Sequence, residues 1–353
     1  MCVNSSSCLG EGGIQTNISD IDSVFTLRVL PSLYCLVFVV GLPLNCMVAW
    51  IFLRLGADSG LVVYLQNMVV ADLLMLITIP LRVADNLGFQ NKDLYVITCR
   101  YTDVLFYTCL YMGIIFIGFI SLERYAKIVH PSYLKIVHPV GNHVLQTRKA
   151  AFILSTVTWA VLGSVMGLYA ILSIATAKEN VTVPPEISCD FLQGPEVDLL
   201  YKAVHTVCFI VFLFVLGALA FLYRGISRRV LLMQRRQSAT STSKKLTKSR
   251  RNMLVLVSVF SICFVPYHLI RLPYAFNKNS VRSWGQWFTN LKEVGVMLSA
   301  CNVCLDPLIY FIFCKAFRAQ LMFKRVFDTS EVSSRLHSFF GGWKNLSSSQ
   351  LQH

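Results

Sequence analysis

Seven long apolar runs constrain the fold of this 353-residue chain more than any motif does. They are Val29 to Leu53, Leu61 to Leu81, Tyr101 to Leu122, Ala150 to Ala177, Ala203 to Tyr223, Met253 to Ile270 and Val294 to Cys314, each rich in Val, Leu, Ile and Phe. A hydrocarbon core about 30 Å thick takes roughly 20 apolar residues of helix to cross, which is the length of these runs. Lipid offers the backbone no hydrogen-bonding partner, so runs of this length must be helices. Barrel strands would be about half as long and would alternate. The composition agrees, since 55% hydrophobic residues, 14% charged residues and a mean hydropathy of +0.59 argue against a soluble domain. The expected fold is an all-α membrane protein, a seven-transmembrane helix bundle.

Loop charge sets the expected orientation. Gly225 to Arg251 holds nine Lys and Arg residues and no acid, whereas residues 1 to 27 hold three acids and no base. The basic linker is therefore read as cytoplasmic, which puts the amino terminus outside and the carboxyl tail inside. The net charge of +14 then reflects attraction to the inner leaflet rather than nucleic-acid binding. The opening "MCVNSSSCLGEGG" lacks the basic start and apolar core of a signal peptide, so the first helix is expected to do the targeting. Most of the twelve cysteines lie inside apolar helices and are read as small hydrophobes; Cys2, Cys8, Cys99 and Cys189 face the oxidising side. Sequons at Asn4, Asn17 and Asn180 fall on that same side and are candidate glycosylation sites, while a fourth at Asn345 is expected to be silent.

Four segments result: an outer tail (1–27), the bundle (28–314), an amphipathic interfacial helix (315–327) and a cytoplasmic tail (328–353). In the third, "KAFRAQLMFKRVF", Phe317, Leu321 and Val326 oppose Lys315, Arg318, Lys324 and Arg325. The longest connections are Lys178 to Leu199 and the Ser/Thr/Lys/Arg-rich linker Gln234 to Ser249. Pro31, Pro43, Pro80, Pro266, Pro273 and Pro307 lie within or at the edges of spans, where neighbours can repair the lost hydrogen bond. The Ser-rich end is read either as a phosphorylatable tail or as a plain solubilising one.

Polar groups at bilayer depth are expensive, and each is a functional hypothesis. Asp72 lies mid-run in "NMVVADLLML", and Asn45, Asn302 and Asp306 are equally deep. They fit either a shared cation or water, or a hydrogen-bonded packing node without an ion. Taken in order along the chain, Asn45, "NMVVAD", Cys99 and "ERY", Trp159, "CFVPYH", "DPLIY" and "FR" resemble the rhodopsin-like class of G-protein-coupled receptors, and the match covers nearly the whole chain. The resemblance implies a heterotrimeric G-protein partner, arrestin and receptor kinases, a plasma-membrane location, no cofactor beyond an allosteric sodium ion at Asp72, Asn302 and Asp306, and a disulfide between Cys99 and Cys189. It also implies that Arg124 is held by Glu123 at rest and meets the G protein when helix six moves, with Tyr125, Ile128, Pro131, Tyr223, Phe264, Asp306, Pro307 and Tyr310 serving coupling and activation. No acid opens helix six in "KKLTKSRR", so the resting lock rests on Glu123. The tandem "KIVHPSYL" and "KIVHP", from Lys127 to Pro139, is a duplication in a surface loop, read as neutral.

The ligand is addressed by the opposite end. In helix six His268, Arg271 and Tyr274 recur every three residues, and in helix three Asp103, Tyr107 and Tyr111 recur every four. Arg82 ends helix two, His205 opens helix five, and Lys292 and Glu293 begin helix seven. Cations with aromatic rings suit an anionic ligand carrying a ring; the alternative is that Arg82 and Arg271 snorkel or pair with Asp103 and Glu293. "CFVPYHLIRLPY", "LKEVGVMLSACNVCLDPLIYF" and "VLFYTCLY", with Phe264 and Asp306, are similar to the metabotropic purinergic nucleotide receptors of the ADP and UDP-sugar branch and its orphan relatives. That likeness implies phosphate binding by Arg271 and Lys292, stacking of a base on Tyr107, a lining of His268 and Tyr274, and coupling to an inhibitory G protein. The chain departs from the branch at Gln193, at His205 and in lacking a cysteine between Asn277 and Asn290. A lysophospholipid-type receptor is the second reading. A transporter or channel is a distant third, because neither a polar file nor an inverted repeat is present. No loop gathers a nucleophile, a base and an orienting group, so enzymatic activity is not expected.

Overall fold

The computed structural model describes residues 24–56, 59–87, 92–129, 147–176, 194–235, 241–277 and 286–321. Seven of its helices are long and apolar enough to cross a membrane: Phe25–Arg54, Gly60–Asn86, Asp93–Ala126, Arg148–Ala175, Pro195–Leu232, Thr247–Phe276 and Trp287–Phe313, here spans one to seven. No strand occurs among the described residues. Spans two and three form the centre of the bundle, with 67% and 61% of their most apolar stretches buried, against 11% for span four. The sequence difference is plain. Span four shows Phe152, Ile153, Val157, Val161, Leu168 and Ile171 outward as a lipid-facing surface, whereas span two places Tyr64, Leu65, Met68 and Leu76 in the core.

Polar side chains hold the spans in register. Thr147 caps span four, its hydroxyl oxygen accepting the Ala150 N–H at 3.3 Å. Trp159 Nε1 donates to Asn67 Oδ1 at 2.9 Å and ties span four to span two. Span seven carries the most consequential proline. Pro307 has no N–H to give the carbonyl of Val303, and Asn45 of span one supplies the missing donor through its Nδ2 at 2.8 Å. The helix pauses at Cys301, between Gln286–Ala300 and Asn302–Phe313. Nearby, Gly41 is packed so closely that a Cβ there would lie 3.0 Å from Leu76 Cδ2 and 3.2 Å from Val303 Cγ2, which lets spans one, two and seven meet.

Two regions differ from the sequence reading. The stretch read as a linker, Gln234 to Ser249, is largely helical: span five continues to Arg235 and span six begins at Ser241, leaving 236–240 between them. Lys and Arg are good helix formers, so the helices run on once they leave the apolar layer. The third span also starts earlier than its apolar run, through a short helix Lys92–Ile97 and a π turn Thr98–Thr102. The interfacial helix is present over 315–321. It turns Phe317 onto Phe52 (centroids 5.7 Å), and Arg318 Nη1 donates to the Phe311 and Ile312 carbonyls, each at 2.7 Å, satisfying the free end of span seven.

Candidate functional site

At one end of the bundle, spans three to six enclose a cleft. Its wall combines Asp103, Tyr107, Thr108 and Tyr111 of span three with Leu162, Val165, Met166 and Tyr169 of span four, Tyr201, Val204, His205 and Cys208 of span five, and Arg271 of span six. Arg271 is the cation of this cleft and is 8% exposed. Its Nε donates to His205 Nε2 at 3.1 Å, and the Nδ1 of His205 sits 2.9 Å from the Tyr201 carbonyl oxygen. A carbonyl only accepts, so Nδ1 carries the hydrogen and Nε2 presents its lone pair to the guanidinium. The imidazole thereby fixes one edge of the guanidinium plane. Around it stand the rings of Tyr107, Tyr201 and Tyr274, at 4.9, 5.5 and 5.8 Å from the guanidinium carbon. Among the described residues Arg271 makes no salt bridge.

The other two cations of this mouth are paired. Arg82 Nη1 approaches Asp103 Oδ1 at 3.2 Å, an ion-pair distance without hydrogen-bond alignment, and its guanidinium lies 4.3 Å over Phe106. Lys292 Nζ meets Glu293 Oε1 at 2.7 Å and lies 4.7 Å over the Tyr274 ring. Tyr274 is thus flanked by both Arg271 and Lys292, and Tyr107 by both Arg271 and Arg82, the latter at 5.7 Å. His268 belongs to the layer below. It is 2% exposed, stacks on Phe212 at 3.8 Å, and has Nδ1 at 2.8 Å from the Phe264 carbonyl and Nε2 at 3.3 Å from the Tyr111 hydroxyl. The same tautomer argument makes Tyr111 the donor, so this histidine is fully engaged as a packing element.

Of the eight residues expected at the mouth, Tyr107, Tyr111, His205 and Arg271 line the cleft directly. Tyr274 and Lys292 adjoin Arg271, Arg82 reaches the cleft only through Asp103 and Tyr107, and His268 supports Tyr111 from beneath. Two participants were missed. The Tyr201 ring lies 4.1 Å from that of His205, tilted 35° to it, and its place one helical turn before His205 is the signal that could have found it. Tyr267 stacks on Tyr107 at 6.2 Å; its position, next to His268, put it off the three-residue stripe used to read span six.

A polar chain runs through the other half. Tyr310 donates its hydroxyl to Asp72 Oδ2 at 2.8 Å, and Asn302 Nδ2 donates to Asp306 Oδ2 at 2.6 Å, all four residues being buried. At the far end Arg124 Nε lies 3.1 Å from Glu123 Oε2, again without hydrogen-bond alignment, and its guanidinium carbon lies 5.8 Å from the Phe313 ring centroid. Tyr125 packs on span five, where Gly225 leaves it room: a Cβ there would stand 3.0 Å from Tyr125 Cε2. Phe264 is buried against Phe260 at 5.1 Å, and Tyr223 is half-buried in the core.

Cys99 is disulfide-bonded. Eight other described cysteines are free, which leaves Cys2, Cys8 or Cys189 as its partner. All three lie outside the described residues, as do Asn4, Asn17, Asn180, Pro131 and the side chain of Ile128.

The family model described as 7 transmembrane receptor (rhodopsin family) matches residues 44–310. The chain belongs to that family. Among its relatives is G-protein coupled receptor 87 of Mus musculus, 35% identical over 323 residues and covering 91% of this chain and 85% of the relative. Purinoceptor 14 of Bos taurus is 33% identical over 304 residues, covering 85% and 86%, and purinoceptor 13 of Homo sapiens is 31% identical over 321 residues, covering 90% and 87%. This rhodopsin-family receptor therefore stands with the purinergic branch and its orphan relatives. It is a multi-pass membrane receptor that works through G proteins and an extracellular ligand, and it is not an enzyme. Within that frame the polar groups join motif residues of spans one, two and seven, and the cleft lies at the opposite end from Arg124.

Proposed function

We propose that the receptor recognises an extracellular nucleotide diphosphate or nucleotide sugar and signals through an inhibitory G protein. The observation that carries this reading is Arg271: a cation inside a cleft, oriented by His205, ringed by tyrosines and not met by a carboxylate among the described residues. A guanidinium held along one edge keeps its other N–H groups in a fixed fork, the geometry that phosphate or a carboxylate accepts. Tyr107 and Tyr201 offer faces for a base. The names of two relatives, purinoceptors 13 and 14, support the same ligand class.

In this reading the cleft opens outside the cell and the Arg124 end faces the cytoplasm, where arrestin and receptor kinases act on the tail. Cys189 is the partner of Cys99. Three buried acceptors, Asn45 Oδ1, Asn302 Oδ1 and Asp306 Oδ1, have no donor among the described residues, and together with Asp72 they suit a sodium ion or a water between spans one, two and seven. Arg124 is released from Glu123 on activation.

One observation favours a second reading. Leu162, Val165, Met166 and Val204 form an apolar wall beside Arg271, and span four is mostly lipid-facing, so a lysophospholipid could place its phosphate on Arg271 and its acyl chain along that wall. A second-messenger screen of cells expressing the receptor, run with nucleotides, nucleotide sugars and lysophospholipids with and without pertussis toxin, separates the two. A toxin-sensitive response to a nucleotide or its sugar is expected. A response to lysophospholipids alone moves the assignment to the second reading, and a toxin-resistant response removes the inhibitory G protein.

A further inference from the structure

One cation of the mouth, Lys292, is met by a carboxylate of its own helix, Glu293. Neighbouring residues on a helix point about 100° apart and do not normally face each other. Lys292 and Glu293 nevertheless meet at 2.7 Å, so both stems bend toward one spot above Tyr274. The Glu293 carboxylate there lies within electrostatic reach of Arg82 and Arg271 as well as Lys292. Both members of the pair keep some access to solvent, 15% for Lys292 and 21% for Glu293. The pair is therefore exchangeable, unlike Asp72 or Glu123, which are 3% and 2% exposed.

From this we propose that Glu293 is an internal competitor for the ligand's phosphate and sets how strongly the receptor responds to each added phosphate charge. The inference rests on the phosphate reading above. A ligand with one anionic group is met by Arg271 and leaves the Lys292–Glu293 pair intact. A second anionic group must take Lys292 from Glu293, an exchange of one carboxylate charge for another anion in the same place. The gain from each added phosphate is smaller than an unopposed lysine would give, and discrimination between mono- and diphosphate is blunted. Glu293 is a specificity-determining residue in this scheme because it acts on the ligand through Lys292.

The test uses purified full-length receptor and reads dissociation constants from thermal stabilisation by orthophosphate, pyrophosphate, AMP and ADP. Glu293→Gln keeps shape and removes the charge. It is expected to tighten pyrophosphate and ADP about tenfold while leaving AMP and orthophosphate within about twofold. Glu293→Asp, which keeps the competing charge, is expected to restore wild-type ratios, an outcome that a purely structural role for the side chain does not require. In a Lys292→Met background Glu293→Gln should leave the ratios unchanged. Should Glu293→Gln fail to fold, Glu293→Thr serves with the same expectations. Unchanged or weakened diphosphate binding in Glu293→Gln, with wild-type binding of phosphates intact and lost in Arg271→Ala, overturns the competitor alone. If no phosphate compound stabilises either wild type or Glu293→Gln, the phosphate reading falls and the competitor with it.

Discussion

At the mouth, Arg271 reaches no carboxylate among the described residues and Lys292 is held by a partly exposed one, whereas in the opposite half Asp72 and Asp306 are sealed from solvent and bonded by Tyr310 and Asn302. The two regions use ionic groups differently. Long, flexible side chains with solvent access can exchange partners, and exposed pairs contribute little to stability. Short carboxyl, amide and phenol groups sealed from solvent depend on fixed partners such as Tyr310 and Asn302, so each arrangement there is tied to a particular packing of the helices. In the proposed reading the mouth exchanges its counter-charges with a ligand, and the interior responds to how the spans are packed.

The largest expected effect breaks that division at its inner end. Arg124→Ala should abolish G-protein activation while agonist binding stays at the wild-type level, measured by nucleotide exchange and by ligand binding on the same membranes. Loss of binding with activation preserved would reverse the roles of the two ends. Tyr310→Phe is next. It removes the hydroxyl from a buried carboxylate, an interaction worth about 1.5 to 3 kcal/mol, so the melting temperature of the detergent-solubilised receptor should fall by several degrees with agonist affinity unchanged. A melting temperature equal to wild type would show that Asp72 is satisfied without Tyr310.

Salt sharpens the contrast without mutation. Raising ionic strength from about 0.05 to 0.5 M shortens the Debye length roughly threefold and should weaken agonist binding several-fold, since the mouth is open to ions, while leaving the melting temperature nearly constant. An equal response of both would deny that they differ in solvent access. The smallest effect is expected from Gly225→Ala. The new Cβ presses on the Tyr125 ring, whose far end can give by a few tenths of an ångström, so surface expression should hold and coupling efficiency should drop by less than about twofold.

The helical fold was legible because lipid leaves the backbone no alternative, and seven runs such as Leu61 to Leu81 carry that signal without any tertiary information. Helix ends were less so. The stretch 241–249 reads as polar linker by composition, yet it is helix, because Lys and Arg extend a helix as readily as they decorate a loop. In the mouth, Arg271 and Tyr107 could be picked out by spacing on one helix face. That His205 would hand its lone pair to Arg271, or that His268 would be consumed by Tyr111 and Phe264, could not, because both depend on how spans five and six are turned toward each other. Equally, the sequence named Asp103 and Glu293 as alternative partners for Arg82 and Arg271; the Arg82–Asp103 pair is present, but Glu293 goes to Lys292 instead of Arg271. Asp103 with Arg82 and Glu293 with Lys292 left Arg271 as the cation of the cleft, a distinction that only side-chain distances make.

Phosphate binding by Arg271 and Lys292 is tested most directly by agonist concentration–response curves for wild type, Arg271→Ala, Arg271→Lys, Lys292→Ala and the double alanine variant, each at matched surface expression. A charge-assisted contact of about 1.5 to 3 kcal/mol corresponds to about one to two decades of potency. Arg271→Ala should cost that much, and Arg271→Lys should still be impaired because it keeps the charge but loses the planar fork. Lys292→Ala should cost less than Arg271→Ala, the double variant more than either, and the loss should grow with the number of phosphates on the agonist. Full potency in the double alanine variant, with the receptor at the cell surface, would contradict the account and leave both cations with a structural role only.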